Sequence, residues 1–427
     1  MYRKPMKQSF CKYPYETNQA TPLHFGTPPP SKLAATTATL HHRSISTFST
    51  PTKCRFAEQA VWGCNHRMER PQIAILGAGI FVRTEYIPRL AEISHLFTLK
   101  AIWSRSEESA RGVVEIAKKF FPEVECKWGN EGLDEIIKDD SIIAVLVALA
   151  AQFQAFLNSS YSVDLSLRLL KGGKHVLQAI SEVETALSCY NSLNTTLPYQ
   201  PIWAVAENYR FERAFVEGTK LMADIGNMVN FQIIVETPMN SSNPYFSSSW
   251  RHNFTGGYIL DAAVHYVAAL RMLAGCEVTS VSALTSHVDT TLPPPDCMSS
   301  VIQLENGCSG VLVTVISAKT LKLCWRVVGL KGTLQIDIQK NEDEFGYSVT
   351  LFNADGQTKS SNYPFSGVTE ELKTFFNDVS RAALKKDENF KAELRISFLE
   401  GARDLAVIDA MLESGKKQGA PIQVKKF

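Results

Sequence analysis

From Gln72 to Gln178 the hydrophobic positions fall into short continuous runs separated by stretches of helical spacing. Gln72 to Leu76 (QIAIL) is an apolar run that ends at glycine, the form of a buried strand delivering its chain to a tight turn. Ile87, Leu90 and Ile93 follow at helical spacing, Phe97 to Trp103 reads as a second strand, and Ala110 to Phe120 as a second helix. Ile142 to Leu149 and Lys174 to Gln178 continue the strands, with a helix containing Leu165, Leu167, Leu169 and Leu170 between them. This alternation with short connections predicts right-handed crossovers and a parallel sheet. After Ile202 to Glu207 and Asn208 to Phe211 the pattern changes. A helix is followed by strand-like runs at Val229–Val235, Val278–Ala283, Gly310–Val315 and Trp325–Val328, which predict an antiparallel sheet covered on one face.

The turn after the first strand reads Gly77-Ala78-Gly79. Gly77 makes the turn; Gly79 omits a side chain so that backbone can approach a pyrophosphate held by the amides of the next helix, at Ile80 and Phe81. A strict fingerprint has Gly or Ala at the next glycine position, and Val82 stands there, which predicts slightly looser helix–strand packing. At the end of the second strand, where an acidic residue would take the ribose hydroxyls of NAD, the chain has Ser104-Arg105-Ser106. An arginine between two hydroxyls suits the 2′-phosphate of NADP, so NADP is expected over NAD. The expected fold is an α/β Rossmann domain at 70–205, then an α+β domain at 206–427 with a large, mostly antiparallel open sheet. Its last helices are placed to pack back on the first domain.

Composition narrows the partners. Among 427 residues, 44 Lys and Arg balance 43 Asp and Glu, so no overall field draws nucleic acid or a membrane surface, and a small-molecule substrate is expected. The longest apolar run, Ile142 to Ala151, is about half of the roughly 20 residues a spanning helix needs. Nine cysteines without a CxxC pair argue against a disulfide framework or a zinc site, and no metal is expected. Residues 1–67 differ from the rest: from Met1 to Ala57 there are eight basic residues and one acidic. Such a segment does not fold alone. A plastid or mitochondrial transit peptide, a disordered tail, and an over-extended reading frame ahead of Met68 all remain open, the last leaving a cytoplasmic protein.

In the second half, Gly256-Gly257 leads through Asp261 to His265. Four positions apart on a helix, these two share a face, and a carboxylate that orients an imidazole is a proton-transfer unit; a surface ion pair is the bland alternative. Here the chain resembles the Gfo/Idh/MocA oxidoreductases, from about Gln72 to Val424. The resemblance is carried by Ile75-Leu76-Gly77-Ala78-Gly79, Gly173-Lys174-His175-Val176-Leu177, the Gly-Gly-to-His265 segment and Val328-Gly329-Leu330-Lys331-Gly332-Thr333-Leu334. It implies that His265 and Asp261 are the acid/base pair and that the second sheet is a substrate and oligomer surface, giving a homo-oligomer.

Two departures stand out. The family's Glu-Lys-Pro, whose lysine lies near the nicotinamide, is replaced by Ala179-Ile180-Ser181, and Lys174 is roughly 20 Å upstream in extended chain. Ala150–Gln154 lacks the family's turn histidine, and Ala155 to Ser162 reads as an insertion, whether through a reading-frame artefact or real divergence. The function expected is NADP-dependent hydride transfer at a hydroxyl or carbonyl carbon of a sugar, polyol or cyclic diol. The alternative is a catalytically weak or inactive NADP-binding sensor or partner subunit. Tyr209, Arg210, Tyr245, Trp250 and Arg251 are candidate substrate contacts.

Overall fold

The computed structural model describes residues 70–149, 161–179, 184–193, 200–246, 256–341, 344–384 and 390–427. Six strands form a parallel sheet: β1 (Gln72–Leu76), β2 (Thr98–Ser104), β3 (Glu125–Trp128), β4 (Ile142–Val147), β5 (His175–Gln178) and β6 (Trp203–Val205), in the order β3-β2-β1-β4-β5-β6. Helices α1 (Ile87–Glu92), α2 (Glu107–Ala117), α3 (Gly129–Lys138), α4 (Tyr161–Lys171) and α5 (Glu184–Leu193) fall between the strands. The central strands β1 and β4 are largely apolar because both faces are covered: Ile73 and Ile75 of β1 enter one core cluster, Ala74 and Leu76 the other. The strand order reverses between β1 and β4, so a crevice opens at their C-terminal ends, the usual ligand position of such sheets.

Helix α6 (Arg213–Ile225) leads into a second, nine-stranded sheet. Its strands are β7 (Met228–Pro238), β8 (Val278–Ser286), β9 (Cys297–Leu304), β10 (Ser309–Val315), β11 (Ser317–Gly329), β12 (Gly332–Asn341), β13 (Glu344–Asn353), β14 (Thr358–Pro364) and β15 (Ile422–Gln423). Neighbouring strands are antiparallel except β7 and β10. Phe231, Ile233 and Val235 of β7 face inward with Trp325 and Ile336, against Phe215 of α6 and Tyr266 and Leu270 of α7 (Gly257–Ala274). The alternate residues face outward, as a one-sided sheet requires.

The chain then returns. Helix α8 (Gly367–Val379) adds Leu372, Phe375, Phe376 and Val379 to a core cluster of the parallel sheet, with Phe376 4.7 Å from Phe97 by ring centroids. Helix α9 (Phe398–Lys416) places Phe398 on Trp203, rings stacked at 3.9 Å. Among the described residues, no helix is long and apolar enough to cross a membrane.

Candidate active site

The phosphate turn has the geometry its glycines imply. Gly77 has φ +134°, and a Cβ there would stand 2.3 Å from the Ala148 carbonyl oxygen, so neither conformation nor space admits a side chain. Gly79 is exposed, with nothing within 4 Å of a Cβ built on it, so backbone is open to an approaching phosphate. Ile80 and Phe81 begin the next helix; Phe81 is exposed and sits edge-on to Tyr86 at 4.9 Å. Val82 is fully buried and opens a π-helical turn, Val82–Tyr86, that runs into α1.

Ser104 ends β2 and Arg105 is exposed beyond it. Ser106 accepts from the Ser109 N–H at 3.4 Å and so caps α2, while Glu107 is held by Arg111. These residues suit a dinucleotide: an open glycine turn, a helix start and an arginine at the end of the neighbouring strand.

His265 lies on α7 with about a third of its side chain exposed (32%). Its Nδ1 is 2.8 and 2.9 Å from the two carboxylate oxygens of Glu207, itself only 1% exposed. Glu207 follows β6, at the C-terminal edge of the parallel sheet, and its Oε1 also accepts from the Tyr209 N–H at 3.1 Å. Burial would raise the Glu207 carboxyl, but the charges of His265 and Arg210 and the hydrogen bond to His265 outweigh it, and the carboxyl is held below its ordinary range. Burial likewise works against imidazolium, and the Glu207 charge and hydrogen bond overcome it, so the His265 pKa is raised. An ionised Glu207 can only accept, which puts a proton on Nδ1 and leaves Nε2 as the nitrogen for other chemistry. Tyr209 stacks on the imidazole with ring centroids 5.1 Å apart and planes 14° from parallel.

The orienting partner is therefore not the one the helical spacing selected. Asp261, one turn before His265, adds to the charge favouring imidazolium, but the carboxylate on Nδ1 is that of Glu207. Glu207 is 58 positions from His265, so no local spacing could pair them. One signal was available: a lone carboxylate closing the apolar run Ile202 to Ala206, at the end of a sheet where ligands bind.

Arg210 is corrected as well. It is 3% exposed and ion-paired with buried Asp404 of α9, which also takes Nη1 of Arg271 at 2.6 Å, so its side chain belongs to the packing between α7 and α9. Tyr245 lies in a turn, and its carbonyl accepts from the Tyr258 hydroxyl at 3.5 Å. Trp250 and Arg251 lie outside the described residues, as do 150–160, with all of the insertion but Tyr161 and Ser162, which open α4, and 180–183, with the position of the family lysine. Gln178, just before the latter, is buried and hydrogen-bonded to Ser166. Lys174 is no substitute, since its ammonium donates to the Asp139 carbonyl at 2.6 Å. Among the described residues no group of His, Cys, Asp and Glu could hold a metal ion.

Two family profiles match this chain. The NAD-binding Rossmann fold of the Gfo/Idh/MocA oxidoreductase family matches residues 72–179, and the Gfo/Idh/MocA C-terminal domain matches residues 222–335. The chain belongs to the Gfo/Idh/MocA oxidoreductases. Dehydrogenase FPY6 of Fusarium mangiferae is 29% identical over 378 residues, covering 83% of this chain and 99% of its own. An inositol dehydrogenase homolog from Azotobacter vinelandii, solved with NADH and myo-inositol, superposes with a TM-score of 0.66 at 15% identity, over 84% of this chain and 98% of its own. KijD10, a 3-ketoreductase from Actinomadura kijaniata solved with NADP and TDP-benzene, gives 0.63 at 16% identity, over 81% and 98%. At these identities the two structures establish the shared fold, a Rossmann domain followed by a mostly antiparallel sheet domain.

Proposed function

We propose that this oxidoreductase uses NADP to move hydride at a hydroxyl or carbonyl carbon of a sugar, polyol or cyclic diol, with His265 as acid/base. The observation that carries this reading is the buried Glu207 on His265 Nδ1, which holds a proton there and leaves Nε2 of this partly exposed imidazole as the nitrogen for proton transfer. The dinucleotide, when bound along Gly77–Phe81 with Ser104–Ser106 at its adenosine end, supplies or accepts the hydride. The protein's own task is the proton. In carbonyl reduction His265 gives a proton from Nε2 to the forming alkoxide; in alcohol oxidation it takes one, and Glu207 stabilises the imidazolium in both directions. Tyr209 limits ring rotation through its stack on the imidazole.

The missing Glu-Lys-Pro leaves one charge fewer at the reacting oxygen. Loss of such a stabilising group commonly lowers rates by about 10²–10³-fold, so slow turnover is expected. The same absence favours the second reading, a nucleotide-binding protein without turnover. NADPH oxidation across a panel of sugar, polyol and cyclic carbonyl compounds, with His265→Ala alongside, separates the two. A rate that depends on His265 supports the enzyme; equal rates in both proteins overturn it, and absence of NADPH binding overturns both readings.

A further inference from the structure

Arg83 lies four residues after Gly79 and points back across the seam between the phosphate turn and α2. Its Nε donates to the Ala78 carbonyl at 3.2 Å, Nη1 to Gly112 at 3.5 Å and Nη2 to Ser109 at 3.5 Å. Gly112 makes room for it, since a Cβ there would be 3.2 Å from Nη2. Of the carboxylates nearby in the chain, Glu85 and Glu92 pair with Arg89 and Glu107 with Arg111. The guanidinium thus meets neutral carbonyls, and two of its three bonds are at the outer limit of hydrogen-bond length. A phosphate offers shorter, charge-assisted, bidentate bonds to the same fork, so exchanging carbonyls for phosphate is favourable. The seam it occupies runs from the Gly77–Gly79 turn to the helix that starts behind Ser104-Arg105-Ser106, the two places that bracket the adenosine ribose in this sheet topology.

We infer that Arg83 is a second arginine, with Arg105, that selects a dinucleotide carrying a 2′-phosphate. The inference rests on the NADP reading above and adds a residue to it. The test is the Kd of NADPH and of NADH, read by nicotinamide fluorescence, for wild type, Arg83→Met and Arg83→Lys, with competition by 2′-AMP and 5′-AMP and the Tm of each apoprotein. Loss of a charge-assisted pair should weaken NADPH by about 10- to 100-fold in Arg83→Met. NADH and 5′-AMP should stay within about threefold, and Arg83→Lys, a point charge without the fork, should fall between. Equal weakening of NADPH and NADH in Arg83→Met would make Arg83 only a clamp on the turn and overturn the inference, as would no change in either. A wild type that binds NADH as tightly as NADPH would instead overturn the NADP reading and the inference with it.

Discussion

Replacing Glu207 with Gln keeps an acceptor opposite His265 Nδ1 but removes the negative charge that raises the imidazole pKa. Burial, which works against imidazolium, is then unopposed by that charge, and the His265 pKa falls. In carbonyl reduction the proton must be present, so activity is lost as pH rises through this pKa. The alkaline limb of kcat/KM in Glu207→Gln should therefore move to lower pH, with kcat reduced on the order of 10²-fold. An unmoved limb would mean that another group governs the profile. Asp261→Asn should move the same limb less, because its influence on His265 ranks below that of Glu207. Single residues were legible in the sequence where the backbone itself dictates them. Gly77 could be read from its turn, and Gly77→Ala should abolish nucleotide binding in a titration, because its Cβ would meet the Ala148 carbonyl oxygen at 2.3 Å. Pairing across the fold could not be read: Glu207 and Asp404 find His265 and Arg210 through strand order and helix return, which leave no periodic trace.

At the scale of elements, α9 is tied to α7 and to the turn after β6 by charge rather than by apolar contact alone. Asp404, with no exposed surface, faces both Arg210 and Arg271, and Arg271 also takes Glu277 at 2.7 Å and Glu400 at 2.8 Å. Asp404→Asn leaves two buried guanidiniums without their shared counterion, which should cost about 3–5 kcal/mol in urea unfolding. A cost under about 1 kcal/mol would mean that Glu277 and Glu400 suffice. In the parallel sheet β1, β2, β4 and β5 were legible because buried parallel strands are mostly apolar runs, as in β4, whereas β3 (ECKW), at the sheet edge and not buried, was not. In the second sheet β9 (CMSSVIQL) and β12 to β14 escaped the reading. β9 is marked only by its alternation of buried and exposed positions, and β14 (TKSSNYP) is polar and exposed along nearly its whole length. The parallel pairing of β10 with β7 depends on which strands meet across the sheet, which hydrophobic pattern does not encode.

For the whole molecule, the path of the last 60 or so residues decides how it unfolds. Leu372, Phe375, Phe376 and Val379 of α8 share one core cluster with Ile73 and Phe97 of the parallel sheet, and Phe398 of α9 shares the other with Trp203. The nucleotide-binding sheet therefore completes both of its cores with side chains that arrive only after eight of the nine strands of the second sheet. A boundary drawn near residue 205 separates the two sheets but cuts through these cores, so a fragment of residues 70–205 should not fold cooperatively; it would take from Phe97 its contact with Phe376 and from Trp203 its stack on Phe398. The full chain should unfold as one unit, and a ligand held only by the parallel sheet should stabilise both sheets together. At 100 times its Kd, NADPH adds about 2.7 kcal/mol to a protein that binds it only when folded. Urea unfolding followed by tryptophan fluorescence and by far-ultraviolet circular dichroism should show a single transition, displaced equally by both probes when NADPH is added. Trp103 and Trp203 lie in the first sheet and Trp325 in the second, so fluorescence reports on both. Two transitions, with NADPH moving one of them, would show that the returning helices do not couple the sheets.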